Sequence, residues 1–113
     1  MKTQLYKYKA KIISVYDGDT VTANISLGFN MWMLKQKIRL YGIDTPELRG
    51  EERADGLVAK ARLEELVMNK EILLESHLDK SGKYGRWLGT LIVEGVNVNQ
   101  LLVDEGLAED YLK

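Results

Sequence analysis

The chain has 113 residues, with 16 Lys and Arg, 17 Asp and Glu, one His and no Cys. That length supports a single domain over residues 1–113 rather than two, and 45% hydrophobic with 29% charged residues excludes a disordered chain. Disulfides and thiolate metal sites are excluded outright, and no apolar run approaches the roughly 18–20 residues that cross a bilayer. With no apolar leader in the first residues, the expectation is a cytoplasmic protein without a membrane partner.

In chain order, Lys7, Lys9 and Lys11 alternate with Tyr8, Ala10 and Ile12, which predicts a half-buried strand over about 6–15. Asp17-Gly18 supplies a turn, read as a place where glycine's freedom at φ > 0 is used. A second strand follows, with Val21, Ala23 and Ile25 on one face and Thr20, Thr22, Asn24 and Ser26 on the other. Gly28 opens an irregular apolar segment that includes Phe29, Met31, Trp32 and Met33. This segment has two readings, a plug for the core or a platform on which bases stack. A third strand is expected over about 35–43, with Lys35, Lys37 and Arg39 on one parity, ended by Pro46.

A long helix is expected over about 51–69, in which Ala59, Leu63, Leu66 and Val67 make the apolar stripe. Strands over 71–78 and 87–93 follow, joined by a polar loop, and His77, alone among possible ligands, reads as an ordinary strand residue. After the Glu94-Gly95 turn, Asn97 caps a short helix over 98–105 that Gly106 terminates. Five strands around one intervening helix predict an α+β, mainly β, fold: a five-stranded OB-fold Greek-key barrel with one long and one short helix.

The net charge of −1 conceals an asymmetry. Residues 1–46 carry seven basic side chains and three acids, Asp17, Asp19 and Asp44, so the acids of the basic part sit in two short segments. Asp19 shares the parity of Val21 and Ile25, and a carboxylate aimed at an apolar interior needs a cation or several donors. Asp44, at the end of the third strand, is expected beside it. Two converging carboxylates without soft ligands nearby suit a hard cation, Ca²⁺ or Mg²⁺. Arg39, on that strand, and Arg86, at the end of the polar loop, could grip a phosphate, while Glu47 leaves one carboxylate free to act on water. Individually, each of these residues is equally readable as a turn or surface group.

The blocks Val15–Val21, Arg39–Glu47, Lys83–Arg86 and Val98–Ala108 together resemble, in order and spacing, the motifs of the staphylococcal nuclease family. The resemblance implies a Ca²⁺-dependent, sugar-nonspecific nuclease that cleaves DNA and RNA to leave 3′-phosphate ends. By position, Asp19 and Asp44 would bind Ca²⁺ through side chains, Thr45 through its carbonyl and Asp17 through water. Arg39 and Arg86 would hold the scissile phosphate and Glu47 would be the general base. Lys83 and Tyr84 match positions near the terminal phosphate of a bound nucleotide, and Tyr111 stands in for a tyrosine over the base. Single strands are the expected substrate and a monomer the expected state. A pI near 5.9 predicts weak, salt-sensitive nonspecific binding. The competing expectation is a noncatalytic nuclease-like module that binds nucleic acid or protein; retention of Arg39, Asp44, Glu47, Arg86 and Asp19 argues against it.

Overall fold

A computed structural model of the chain describes residues 6–77 and 87–111. Strands β1 (Lys7–Asp17), β2 (Thr20–Gly28) and β3 (Met31–Leu40) form an antiparallel meander, and β4 (Ile43–Asp44) is a two-residue strand beyond it. Helix α1 (Arg53–Val67) follows a single 3₁₀ turn; β5 (Ile72–His77) and β6 (Trp87–Val93) come next, then β7 (Val96–Asn97), α2 (Val98–Asp104) and β8 (Glu109–Asp110). The sheet runs β3-β2-β1-β5-β6-β7, and parallel pairing of β3 with β6 closes it into a five-stranded barrel. The expected OB-fold is present. Closure removes the free edges that an open five-stranded sheet would expose.

The barrel interior is filled by the inward row of each strand. Val21, Ile38, Leu40 and Leu91 are fully buried, joined from the helices by Leu63, Val67, Val98 and Leu102. On α1 the buried positions are Gly56, Ala59, Leu63 and Val67, one stripe at helical spacing, with Leu66 only partly covered. Asn97 caps α2 by accepting the Gln100 N–H at 3.0 Å, and Gly106 ends that stretch at φ +78°.

Four expectations are corrected. β3 begins at Met31, because β2 and β3 continue as one long hairpin through the segment read as irregular. The segment is no core plug: Phe29 is 99% exposed and Trp32 52%, and only Met33 packs partly against the core. Asp44 lies not on the third strand but on β4, past a corner at Tyr41-Gly42, where β4 pairs with β8. Finally, Gly18 does not adopt positive φ; a Cβ there would come within 2.8 Å of both Ala59 and Thr45. It is glycine so that the β1–β2 turn can lie against α1 and the Thr45 segment.

Candidate nucleic-acid cleft at the barrel mouth

Asp19 organises the mouth of the barrel from the β1–β2 turn. The turn is tightened by Asp17, whose Oδ1 accepts the Asp19 N–H at 3.1 Å. Asp19 is buried, and its carbonyl accepts the Leu40 N–H at 2.8 Å, which ties the turn to β3. Its carboxylate accepts the Thr45 N–H at 3.1 Å and the Thr20 hydroxyl at 3.2 Å. Arg39 Nη1 lies 2.9 Å from Asp19 Oδ2, off the hydrogen-bonding direction, so this contact is ionic. The buried carboxylate therefore has the cation and donors that its position demands.

Asp44 approaches from the other side. Its Oδ1 is 3.5 Å from Arg39 Nη2, and its side chain remains half exposed. Burial and the negative charge of Asp19 raise its pKa, with Arg39 opposing. Asp17 is pushed up to about 6, by burial first and then by Asp19. The corner thus sets two carboxylates, Asp19 and Asp44, against one guanidinium, with Asp17 behind Asp19.

These residues line one open cleft of about 730 Å³ together with Thr45 and Glu47. Glu47 is exposed, 3.6 Å from Arg49 across an ion pair. Its segment is tied down from the start of α1: its N–H donates to Glu52 at 3.1 Å, and Arg53 donates to the Leu48 carbonyl at 3.3 Å. Gly56 of α1 permits the approach, since a Cβ there would collide with the Pro46 and Glu47 backbone. Tyr111 lies in a neighbouring groove that shares Arg39 and Asp44 with the cleft, its N–H donating to the Gly42 carbonyl at 2.8 Å. The structure therefore brings Asp17, Asp19, Arg39, Asp44, Thr45 and Glu47 together, with Tyr111 alongside; Lys83, Tyr84 and Arg86 lie outside the described residues.

Sequence reasoning missed three contributors. Lys37 and Lys60 add positive charge to the cleft wall. Lys37 was legible from its shared parity with Arg39, whereas nothing in the chain marks Lys60 apart from other helix lysines. Asn99, buried on α2, donates to the Tyr41 and Gly89 carbonyls at 2.9 and 3.1 Å and accepts the Leu91 N–H at 3.1 Å. It fixes the corner between Arg39 and Asp44, and its only signal was an amide next to the apolar Val98 of a short helix that also holds Gln100 and Asp104.

A hard divalent cation fits this corner in kind. The donors are all oxygen, the carboxylates are in excess, and the Thr45 hydroxyl is buried there without a hydrogen-bond partner. Among the described residues no three His, Cys, Asp or Glu side chains close into a ligand cluster. Asp19 and Asp44 meet instead on Arg39, and a cation held by both would share them with it.

Residues 37–113 match the family model described as staphylococcal nuclease homologue. An uncharacterized protein of Methanocaldococcus jannaschii is 30% identical over 130 residues, covering 93% of this chain and 60% of its own length. One of Bacillus anthracis is 29% identical over 102 residues, or 87% of this chain and 45% of the relative. An uncharacterized 38.1 kDa protein of Capnoides sempervirens is 35% identical over 77 residues, 68% of this chain and 21% of the relative. The chain therefore spans 60% or less of the length of these curated relatives. No helix among the described residues is long and apolar enough to cross a membrane.

Proposed function

The chain belongs to the staphylococcal nuclease homologue family, and on that premise we propose that it is a calcium-dependent, sugar-nonspecific nuclease acting as a monomer on single-stranded DNA and RNA. One observation carries the reading: Arg39 stands between Asp19 and Asp44 in a cleft that also holds Glu47. Asp19, Asp44 and the Thr45 carbonyl would hold Ca²⁺, with Asp17 reaching it through water. The cation, when bound, supplies Lewis-acid stabilisation of the charge that builds on the phosphate. Arg39 presents a planar guanidinium to the phosphate oxygens, pre-aimed by its two carboxylate partners, so little ordering is left to do at the moment of reaction. Glu47, exposed on a braced segment, orients a water and accepts its proton. Arg86 is assigned the second phosphate contact, and Lys83, Tyr84 and Tyr111 contacts to the nucleotide, by position in the family pattern. Cleavage on the 5′ side of the phosphorus leaves 3′-phosphate ends.

The test is hydrolysis of a single-stranded oligonucleotide with Ca²⁺, Mg²⁺ or chelator, beside a calorimetric Ca²⁺ titration. Activity should need Ca²⁺, and Asp19→Asn or Asp44→Asn should weaken Ca²⁺ binding. Arg39→Ala should lower kcat on the order of 10²-fold, and Arg39→Lys should not restore it, because a point charge lacks the two-pronged contact. Full activity under chelation, or a folded Arg39→Ala with normal kcat, refutes the assignment; tight oligonucleotide binding without cleavage returns the protein to the noncatalytic class.

A further inference from the structure

The β2–β3 hairpin projects large apolar side chains that neither the core nor the cleft uses. Its tip is a two-residue turn in which Phe29 and Asn30 both have positive φ, 53° and 62°. That backbone suits the twist of a hairpin but is unfavourable for phenylalanine. Below the tip, the strand register decides which face each side chain takes. Arg39 pairs with Thr20, Lys37 with Thr22 and Trp32 with Ser26. These β2 residues share one parity, so Trp32, Lys37 and Arg39 stand on one face despite their unlike parity on β3. The extra residue that makes this possible is a bulge near Lys35, which has φ +55° and donates its N–H to Asn24 at 2.9 Å. Lys11 of β1 pairs with Asn24 and adds a further cation to the same face.

The face is therefore continuous with the cleft. It begins at Arg39 and Lys37, which line the cleft, and runs outward past Lys35 and Lys11 to Trp32. Its charge has one sign: from Thr20 to Ile43 there is no Asp or Glu, and Lys11, Lys35 and Lys37 make no ion pair among the described residues. The central row is polar, Thr22, Asn24 and Ser26, which does not suit the apolar contact of a second copy or a lipid surface.

We propose that this outer face of β1–β3 is a track for single-stranded nucleic acid leading out of the cleft, with Trp32 as a base-stacking platform at its far end. The proposal rests on the nuclease reading for its origin at Arg39, and it names the substrate as a single strand several nucleotides long. The β2 partners of Arg39 and Trp32, Thr20 and Ser26, are six positions apart, about 20 Å of strand, which lies within the reach of an OB fold that accommodates ~4–16 nucleotides. Duplex bases stay paired and stacked, so they cannot lie on Trp32. The lysines meet phosphates between the two ends.

The experiment measures binding by fluorescence anisotropy with divalent ions chelated, using oligothymidylates of about 4 and about 15 nucleotides. The longer strand should bind about tenfold more tightly. Trp32→Ala should abolish most of that difference and Trp32→Phe should retain it. Lys11→Gln should reduce the salt dependence for the longer strand by about one phosphate's share, a decrease of about 0.7 in the log–log slope. It decides the matter if Trp32→Ala does not fold. Equal affinity for both lengths, or an unchanged salt slope with Trp32→Ala at wild-type affinity, overturns the proposal. So does sedimentation showing a dimer that Trp32→Ala dissociates, which would assign the face to a second copy. Because no cleavage is required, a protein that binds with this length dependence yet never cuts refutes the nuclease reading alone. One that cuts without length dependence refutes the track alone.

Discussion

Arg39 carries two duties at the residue scale, one toward a phosphate and one toward the fold. Its guanidinium is the cationic partner of the buried Asp19 carboxylate, 2.9 Å away. Removing it leaves a largely desolvated charge without a counterion, so Arg39→Ala should cost about 3 kcal/mol of stability. Adding Asp19→Asn should recover at least about 1 kcal/mol of that loss. Urea titrations of the two single variants and the double variant check this, and simple additivity would show that the pair is not coupled. His77 offers a second measurement away from the site. Its ring stacks on Tyr41 at 3.8 Å and its Nε2 lies 2.9 Å from the Thr90 hydroxyl. Burial lowers its pKa below 6.5, with Glu75 opposing. The folded state thus disfavours the charged ring, so this contribution is intact above 6.5 and is lost as pH falls from there through the lower folded value. His77→Gln should flatten the stability–pH curve across that window, as thermal melts in a pH series would show; an unchanged slope would exclude His77 as its source.

At the scale of elements, the candidate site depends on close approach between α1 and two loops. Gly56 sits within α1, where alanine ordinarily stabilises a helix by about 1 kcal/mol. Here a Cβ would meet the Glu47 carbonyl. Gly56→Ala should therefore destabilise by about 1–3 kcal/mol, and it should lower kcat by moving Glu47. A stabilised variant in urea unfolding would contradict the packing. Much at this scale was legible beforehand. The α1 stripe, the Asn97 cap and the Gly106 stop all follow from local spacing and local hydrogen bonding. The β3 start was not legible, because alternation fails where both faces of a projecting hairpin carry large apolar groups and a bulge resets the parity.

At the scale of the whole molecule, charge and architecture are arranged together. The basic first part of the chain forms the β1–β3 wall of the barrel, and its three acids gather at one end of that wall. The acid-rich remainder supplies α1, the closing strands and α2, including the paired Arg62–Glu105 contact at 2.8 Å that joins the two helices. The amino-acid sequence by itself determined the order of the five barrel strands and two helices and the candidate acids and Arg39 that line the cleft, but not the short strands β4, β7 and β8, because periodicity, turn chemistry and charge patterning act over a few residues at a time. Only the tertiary structure decided that Asp44 faces Asp19 from β4 rather than from β3, that Gly18 and Gly56 are there for clearance, and that Trp32 shares a face with Arg39. Each of those facts depends on strand register, a bulge or a contact between elements distant in sequence, and no local pattern encodes which partner a residue will meet once the sheet closes.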